Sequence, residues 1–341
     1  MRTSVLAAAA VAGAVLLGSC ADSSTTNRSG SAFSADNTNG NSGNGPCNFK
    51  THPVGSIIGQ VDAPSPWGVA VRDDGLVYFT ALFQSQVGIT NTTTRTITGF
   101  INVGFIPTGI TFSPDGTRSY VANQDGTVSV IDVASNTTIA SISVGGPSPF
   151  SVEVSPDNST LYVGNNDNTL TIIDTQSFAI IKVITVGFAT NAFVTAPDGR
   201  FLYASHFVDG TVSEIDMYTN TVTRTFNVGG TPQGMAINHK GTHLFIGNEA
   251  GYLNDVDLTT GNIGTSITLQ GGAFGVGVTP DDKEAWITIP GNGIVQVYNM
   301  TTKKLESGSI NVGGNPRRIA FSQAGKIAAV TNINGYISFL K

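Results

Sequence analysis

The sequence predicts an all-β fold, a ring of seven four-stranded antiparallel blades closed by its own N-terminal strand. Three observations predict it. A unit of about 42 residues repeats through most of the chain, a period that marks stacked supersecondary units. Each unit contains four short runs with strand-like alternation, separated by tight-turn residues. The two ends of the repeat region hold complementary fractions of one further unit.

The phase is set by the dipeptides Val103-Gly104, Val144-Gly145, Val186-Gly187, Val228-Gly229, Gln270-Gly271 and Val312-Gly313, spaced by 41 or 42 residues, with Val61-Asp62 in phase before them. The clearest copy runs from Ile106 to Gly145. Its first strand, Ile110-Thr111-Phe112, ends in Ser113-Pro114-Asp115-Gly116. That is a turn with a mechanism: proline presets φ, aspartate bonds to nearby backbone, and glycine accepts the closing conformation. Arg118 to Ala122 is the second strand, Asn123-Gln124-Asp125-Gly126 the second turn, Thr127 to Ile131 the third strand, and Thr138 to Val144 the fourth. The first-turn aspartate recurs as Asp74, Asp157, Asp198 and Asp281, and the end of the third strand carries Asn91, Asp132, Asp174, Asp216, Asp257 and Asn299. No window sustains a 3.6-residue apolar period, so almost no helix is expected beyond the leader.

Six complete units lie between residues 62 and 313. Gly314 to Lys341 holds three strands, and Gly55 to Val61 supplies the missing fourth. Pairing the two ends closes the ring and leaves only short edges. The architecture is therefore a seven-bladed β-propeller over residues 50–341.

Residues 1–49 are different. Met1-Arg2 followed by the apolar run Val5 to Leu17 suits a signal peptide over 1–19 and is too short to span a bilayer. Leu17-Gly18-Ser19-Cys20 resembles a bacterial lipobox, which makes Cys20 a lipidation site; an ordinary secretory signal is the alternative. In Gram-negative lipoproteins, alanine after that cysteine, here Ala21, resembles the outer-membrane pattern. Residues 20–49 are rich in Ser, Thr, Asn and Gly and read as a flexible tether. The second cysteine, Cys47, is unpaired if Cys20 is lipidated. The net charge is −6 with 12% charged residues and no basic stripe, which argues against a nucleic-acid partner.

The strands Tyr120-Val121-Ala122-Asn123 and Thr127-Val128-Ser129-Val130-Ile131-Asp132, with the Ser-Pro-Asp-Gly turn and Val144-Gly145, resemble the YVTN-repeat β-propeller family over roughly residues 54–341. The resemblance implies an extracytoplasmic setting, as in surface-layer proteins or beside redox enzyme modules, and implies no particular activity. Two copies depart from the pattern, with Asn238-His239-Lys240-Gly241 at a first turn and Ile289-Pro290-Gly291-Asn292 at a second.

Function is sought where loops meet a rigid scaffold. The position after the repeat proline, or its equivalent, gives Trp67, Thr108, Phe150, Asn191, Gln233, Phe274 and Arg317, a ring expected at the channel mouth. It varies from blade to blade, as a binding surface needs, and Trp67, Phe150, Asn191, Gln233, Phe274 and Arg317 are its candidate contacts. A second ring, Ala81, Asn123, Asn165, His206, Asn248, Ile289 and Asn332, should hydrogen-bond its own turns. His206 stands out there as a candidate general base or metal ligand against the plainer reading of a turn histidine. Glu153 interrupts a series of mostly small, uncharged inner-strand residues and would place a carboxylate at the channel. Senescence-marker and gluconolactonase propellers are similar in holding a divalent metal at the channel with a Glu and Asn or Asp ligands. Glu153, Asn191 and an asparagine of the second ring match that set loosely, and the rest of that pattern is missing. No nucleophile elbow, phosphate-binding loop or zinc-protease motif occurs.

These readings converge on a lipid-anchored extracytoplasmic scaffold that needs no cofactor and binds a ligand or protein partner at the channel mouth. The alternative is a metal-assisted hydrolase or lyase of lactone-like or cyclic substrates using Glu153 or His206. A structural surface-layer module is a third possibility, and it predicts self-association.

Overall fold

The computed structural model describes residues 55–322 and 327–341. The leader, the Cys20 lipobox, the tether and Cys47 lie outside the described residues. The described chain forms seven four-stranded antiparallel sheets. Blade 1, for example, is Pro66–Val71, Leu76–Ala81, Gln86–Asn91 and Gly99–Asn102 from the channel outward. Blade 7 is Pro316–Ser322, Ile327–Asn332 and Tyr336–Leu340, and its outer strand is the N-terminal Ile57–Asp62. The ring closes as expected, with Val61 opposite Ile337 and Asp62 opposite Tyr336.

Hydrophobic patterning explains why the blades stack. The second-strand aromatic of one blade is buried against the next: Tyr78, Tyr120, Tyr162, Tyr203, Phe245 and Trp286 each sit in the apolar cluster shared with the following blade. Blade 7 has Ala329 at this position, and Phe79 of blade 1 with Phe339 fills the space instead. Gly88 makes room for that arrangement, since a Cβ there would meet the Phe79 ring at 2.0 Å. Burying an aromatic or large aliphatic side chain is worth roughly 1.5–3 kcal/mol, so the stack is held by seven comparable interfaces. Two tyrosine hydroxyls also donate across the interface, Tyr78 to Asn136 and Tyr162 to Asn220, whose backbones adopt positive φ in the next blade's last hairpin.

The repeated aspartates do local work. Hydroxyls of Ser135, Ser177 and Thr259 donate to Asp132, Asp174 and Asp257, backbone N–H groups two or three residues on donate to these three and to Asp216, and together the bonds hold the four carboxyls below the usual range. The divergent turn at Asn238 keeps the same geometry. The Asn238 side-chain oxygen accepts from the N–H groups of Thr242 and His243, and Gly241 takes φ +67. At Pro290–Asn292 the departure has a visible effect, a single 3-10 turn, the one helical element among the described residues.

The inner strands matter most for a site. In six blades the pairing between first and second strand shifts register just after the first-strand proline or, in blade 4, Thr190. An extra residue in one strand bends it and re-aims its side chains. That irregularity falls at the rim residue and the residue after it.

Candidate functional site

The rim residues do not stand apart around an open mouth. They meet across the channel axis. Trp67 of blade 1 packs edge-on against Phe150 of blade 3 and Phe274 of blade 6, with centroids 6.3 and 5.4 Å apart. The Arg317 guanidinium of blade 7 lies 4.9 Å from the Trp67 ring centroid and 4.7 Å from that of Phe274. Thr108, Gln233 and Phe274 are buried, and Trp67, Phe150, Asn191 and Arg317 are half-buried. The ring foreseen as separate surface contacts is therefore an aromatic and arginine plug.

The backbone beneath the plug is clamped from blade to blade. Hydroxyls of Thr80, Ser205, Thr288 and Thr331 each donate to the rim carbonyl of the following blade, on Thr108, Gln233, Arg317 and Trp67, at 2.7–3.0 Å. The Thr108 hydroxyl does the same for Phe150, and the Gly234 N–H for Phe274. Blades come so close here that a Cβ on Gly68 would lie 2.1 Å from the Thr108 carbonyl oxygen. The seventh rim carbonyl is that of Asn191. Blade 3 has Gly164 where blades 1, 4, 6 and 7 carry a hydroxyl, and Asn191 instead accepts from Arg318 Nη2 at 3.1 Å through its carbonyl and 2.5 Å through its side-chain oxygen.

Arg318 is the candidate site residue that the sequence reading missed. Its position runs Gly68, Gly109, Ser151, Ala192, Gly234, Gly275, Arg318 around the ring, small in every blade but one. The signal was present in the repeat phase, one column beyond the ring that was read. Arg318 reaches from blade 7 to blade 4 and borders a channel cavity of about 370 Å³ together with Trp67, Phe150, Ser151, Glu153 and Asn191. Burial, and then the neighbouring Arg317, pushes its guanidinium down to about 10. No carboxylate forms an ion pair with either arginine among the described residues. Glu249 acts on both only at longer range.

Glu153 does line the cavity. Burial drives its carboxyl up to about 7, opposed only by a 3.4 Å hydrogen bond donated by Thr195. His206 takes no part in the cavity. It is fully buried, with Nδ1 3.2 Å from the Thr190 hydroxyl and Nε2 2.9 Å from Ser213, and burial lowers it to about 4. It replaces the structural asparagine of its ring. Asn123 and Asn165 make the corresponding bonds to Ser129 and Thr171. His206→Asn should therefore change stability by less than about 1 kcal/mol, whereas His206→Ala, which leaves Thr190 and Ser213 without a partner, should cost about 2 kcal/mol. Equilibrium unfolding in urea would measure both. Equal losses would point to a role beyond hydrogen bonding.

The residues proposed for a metal do not assemble. Asn191 is held by Arg318, and Asn123 and Asn165 of the second ring serve their own turns. Among the described residues, no group of three or more His, Cys, Asp or Glu side chains is placed to hold an ion. None of the described helices is long and apolar enough to cross a membrane.

Comparison with known proteins supports the architecture. The family model "Cytochrome D1 heme domain" matches residues 163–260, under a third of the chain. No curated protein matches. Among solved structures, Kuenenia stuttgartiensis hydrazine synthase superposes with a TM-score of 0.74 at 18% identity, covering 86% of this chain and 98% of that one. At that identity the likeness establishes the β-propeller fold and nothing finer.

The partial heme-domain match invites a test of fit. Heme iron takes an axial His, Cys, Met or Tyr. The channel cavity offers only Met235 of these. The three histidines of the matched segment are engaged elsewhere: His206 is buried in its turn, and His239 and His243 pair with Asp282 and Asp255 at 2.7 Å. The donor set does not fit a heme in the channel, and no chemistry is routed through one.

Proposed function

We propose that this protein is a non-enzymatic, extracytoplasmic β-propeller of the YVTN-repeat type, tethered by lipid at Cys20, that binds a small ligand in its central channel. The observation that carries the binding is the Arg318 guanidinium, which borders a 370 Å³ cavity without a carboxylate partner, with Arg317 next to it in the plug. That size falls within the range of small-molecule sites, roughly 300–1,000 Å³. A buried cation without a partner is costly, and a bound ligand would offset the cost. The leader and lipobox motif support the location, and the Ser, Thr, Asn and Gly-rich stretch after Cys20 supports the tether.

Trp67 makes the proposal measurable. The chain has two tryptophans, and the other, Trp286, is buried between blades 6 and 7. In a Trp286→Phe variant the emission reports the channel alone. A small-molecule panel should yield compounds that change Trp67 emission and raise the melting temperature together, while a chelator changes neither.

Glu153 favours one second reading. A carboxyl near 7 in a cleft suits general acid–base work, as in the metal-assisted hydrolase. That reading requires a chelator to lower the melt and Glu153→Gln to abolish a turnover. A chelator-sensitive melt would displace the binding model.

A further inference from the structure

We infer that the channel ligand is a small organic monocarboxylate with an apolar body, its carboxylate paired with Arg318 and its body lying among the inner-strand side chains. This deepens the channel-binding reading and rests on it. The geometry of Arg318 is the starting point. Nη2 is occupied by the carbonyl and side-chain oxygens of Asn191, which fixes the plane of the guanidinium. Nη1 and Nε have no hydrogen-bond partner among the described residues. Nη1 and Nε flank Cδ and share no edge, so each offers a separate donor, and with its plane fixed the guanidinium presents pre-oriented N–H groups to a single carboxylate oxygen.

Two further donors near this end lack partners. The Ser151 hydroxyl lines the cavity, is buried and makes no hydrogen bond. The Nε of Arg317 is likewise buried and unpaired. Buried polar groups are ordinarily satisfied, and unsatisfied ones that line a cavity call for an explanation. An anion at this end supplies acceptors where the protein supplies donors.

The rest of the cavity narrows the class. Val69, Ile110, Phe193, Met235 and Val276 line part of it, beside the polar Thr108 and Thr111, which leaves an apolar wall for the body of a small ligand. Glu153 borders the same space, and its carboxyl disfavours a second negative charge on the ligand. A doubly charged phosphate or sulfate is therefore the poorer match. Both ends of the inner strands retain solvent contact, at Trp67 and Arg317 on the plug side and at Val71, Phe112 and Thr195 on the other.

The test uses the full chain carrying Trp286→Phe, with Trp67 emission as the readout. The probes are benzoate and phenylacetate, their neutral amides, and inorganic sulfate, each to about 10 mM, a range that reaches weak millimolar affinities. The acids should bind saturably, with the amides and sulfate at least about tenfold weaker. Arg318→Met should weaken the acids by about tenfold or more without changing the amides, because it removes one partner of a buried charged pair. Arg318→Lys keeps the charge, loses the fixed direction of the free N–H donors and should fall between the two. It also serves as the folded control should Arg318→Met be unstable. Three results overturn the carboxylate assignment while leaving channel binding intact: acids and amides binding equally, sulfate matching the acids, or acid binding that survives both Arg318 variants. A Trp67 response that persists when Ser151→Phe fills the cavity places the binding elsewhere and overturns the channel reading itself. The absence of a response to any probe overturns the assignment.

Discussion

Removing residues 1–62 should abolish cooperative folding, with a loss on the order of 5 kcal/mol or more against a total stability of roughly 5–15 kcal/mol. The strand Ile57–Asp62 contributes a full ladder to Tyr336–Leu340, and its Ile58 and Val61 pack on the cluster between blades 7 and 1. Arg95 Nη1 donates to the Ile58 carbonyl at 2.5 Å, and Gln60 Nε2 donates to Ser338 at 3.0 Å, so the strand is tied to blade 1 as well as to blade 7. Without it, Tyr336–Leu340 becomes an exposed edge carrying Ile337, Phe339 and Leu340, which are fully buried in the intact ring. An apolar unpaired edge is a template for aggregation. Thermal unfolding and light scattering, compared with a chain lacking residues 1–54, would measure the effect. A peptide of residues 55–62 added in trans should restore solubility. A chain without residues 1–62 that melts at the wild-type temperature would show that ring closure by this strand contributes little.

Glu153→Gln should stabilise the protein at pH 8 by about 2 kcal/mol and leave it almost unchanged at pH 4. The sign follows from linkage. The folded-state carboxyl titrates near 7 against an ordinary value of 4.5, because burial penalises its charge. Between those values the folded state binds more protons than the unfolded one, so stability falls as pH rises through that window. Below it, both states are protonated and nothing is lost. A shift of this size corresponds to about 3 kcal/mol, and solvent in the channel reduces it toward about 2 kcal/mol. The amide cannot ionise, so the variant should lose the decline. Melting curves from pH 4 to pH 8 would show wild type and variant diverging upward in pH, by several degrees at the top of the range. Parallel curves would mean that the carboxyl is solvated and titrates normally.

The site was half legible in the sequence. Repeat phase located the inner strands, so Trp67, Phe150, Phe274 and Arg317 could be named together before their positions were known. Phase could not say that these four side chains meet across the axis, because that depends on ring diameter and on the register shift beside each first-strand proline. Glu153 was found because a charge in a small, uncharged column is conspicuous. Arg318 occupies an even smaller column, but a lone arginine there is indistinguishable in sequence from one that points to solvent, and its partner Asn191 is 127 positions away. His206 shows the reverse failure. A lone histidine among asparagines looked chemical, but the hydroxyls of Thr190 and Ser213 saturate both ring nitrogens and make it structural.

By itself the sequence determined what is local and periodic. Turn chemistry at Ser113-Pro114-Asp115-Gly116 and its copies, alternation within strands and the 42-residue period settle seven blades, because each depends on residues close together in the chain. The shared last blade followed from counting strands. Tertiary structure alone decided what depends on residues far apart: the plug over the channel, the bond from Arg318 to Asn191 across 127 positions, and the burial that shifts Glu153. Burial and charge pairing are properties of three-dimensional neighbours. A repeat equalises the backbone of every blade, so the blade-specific contacts that cross the ring leave no trace in the period.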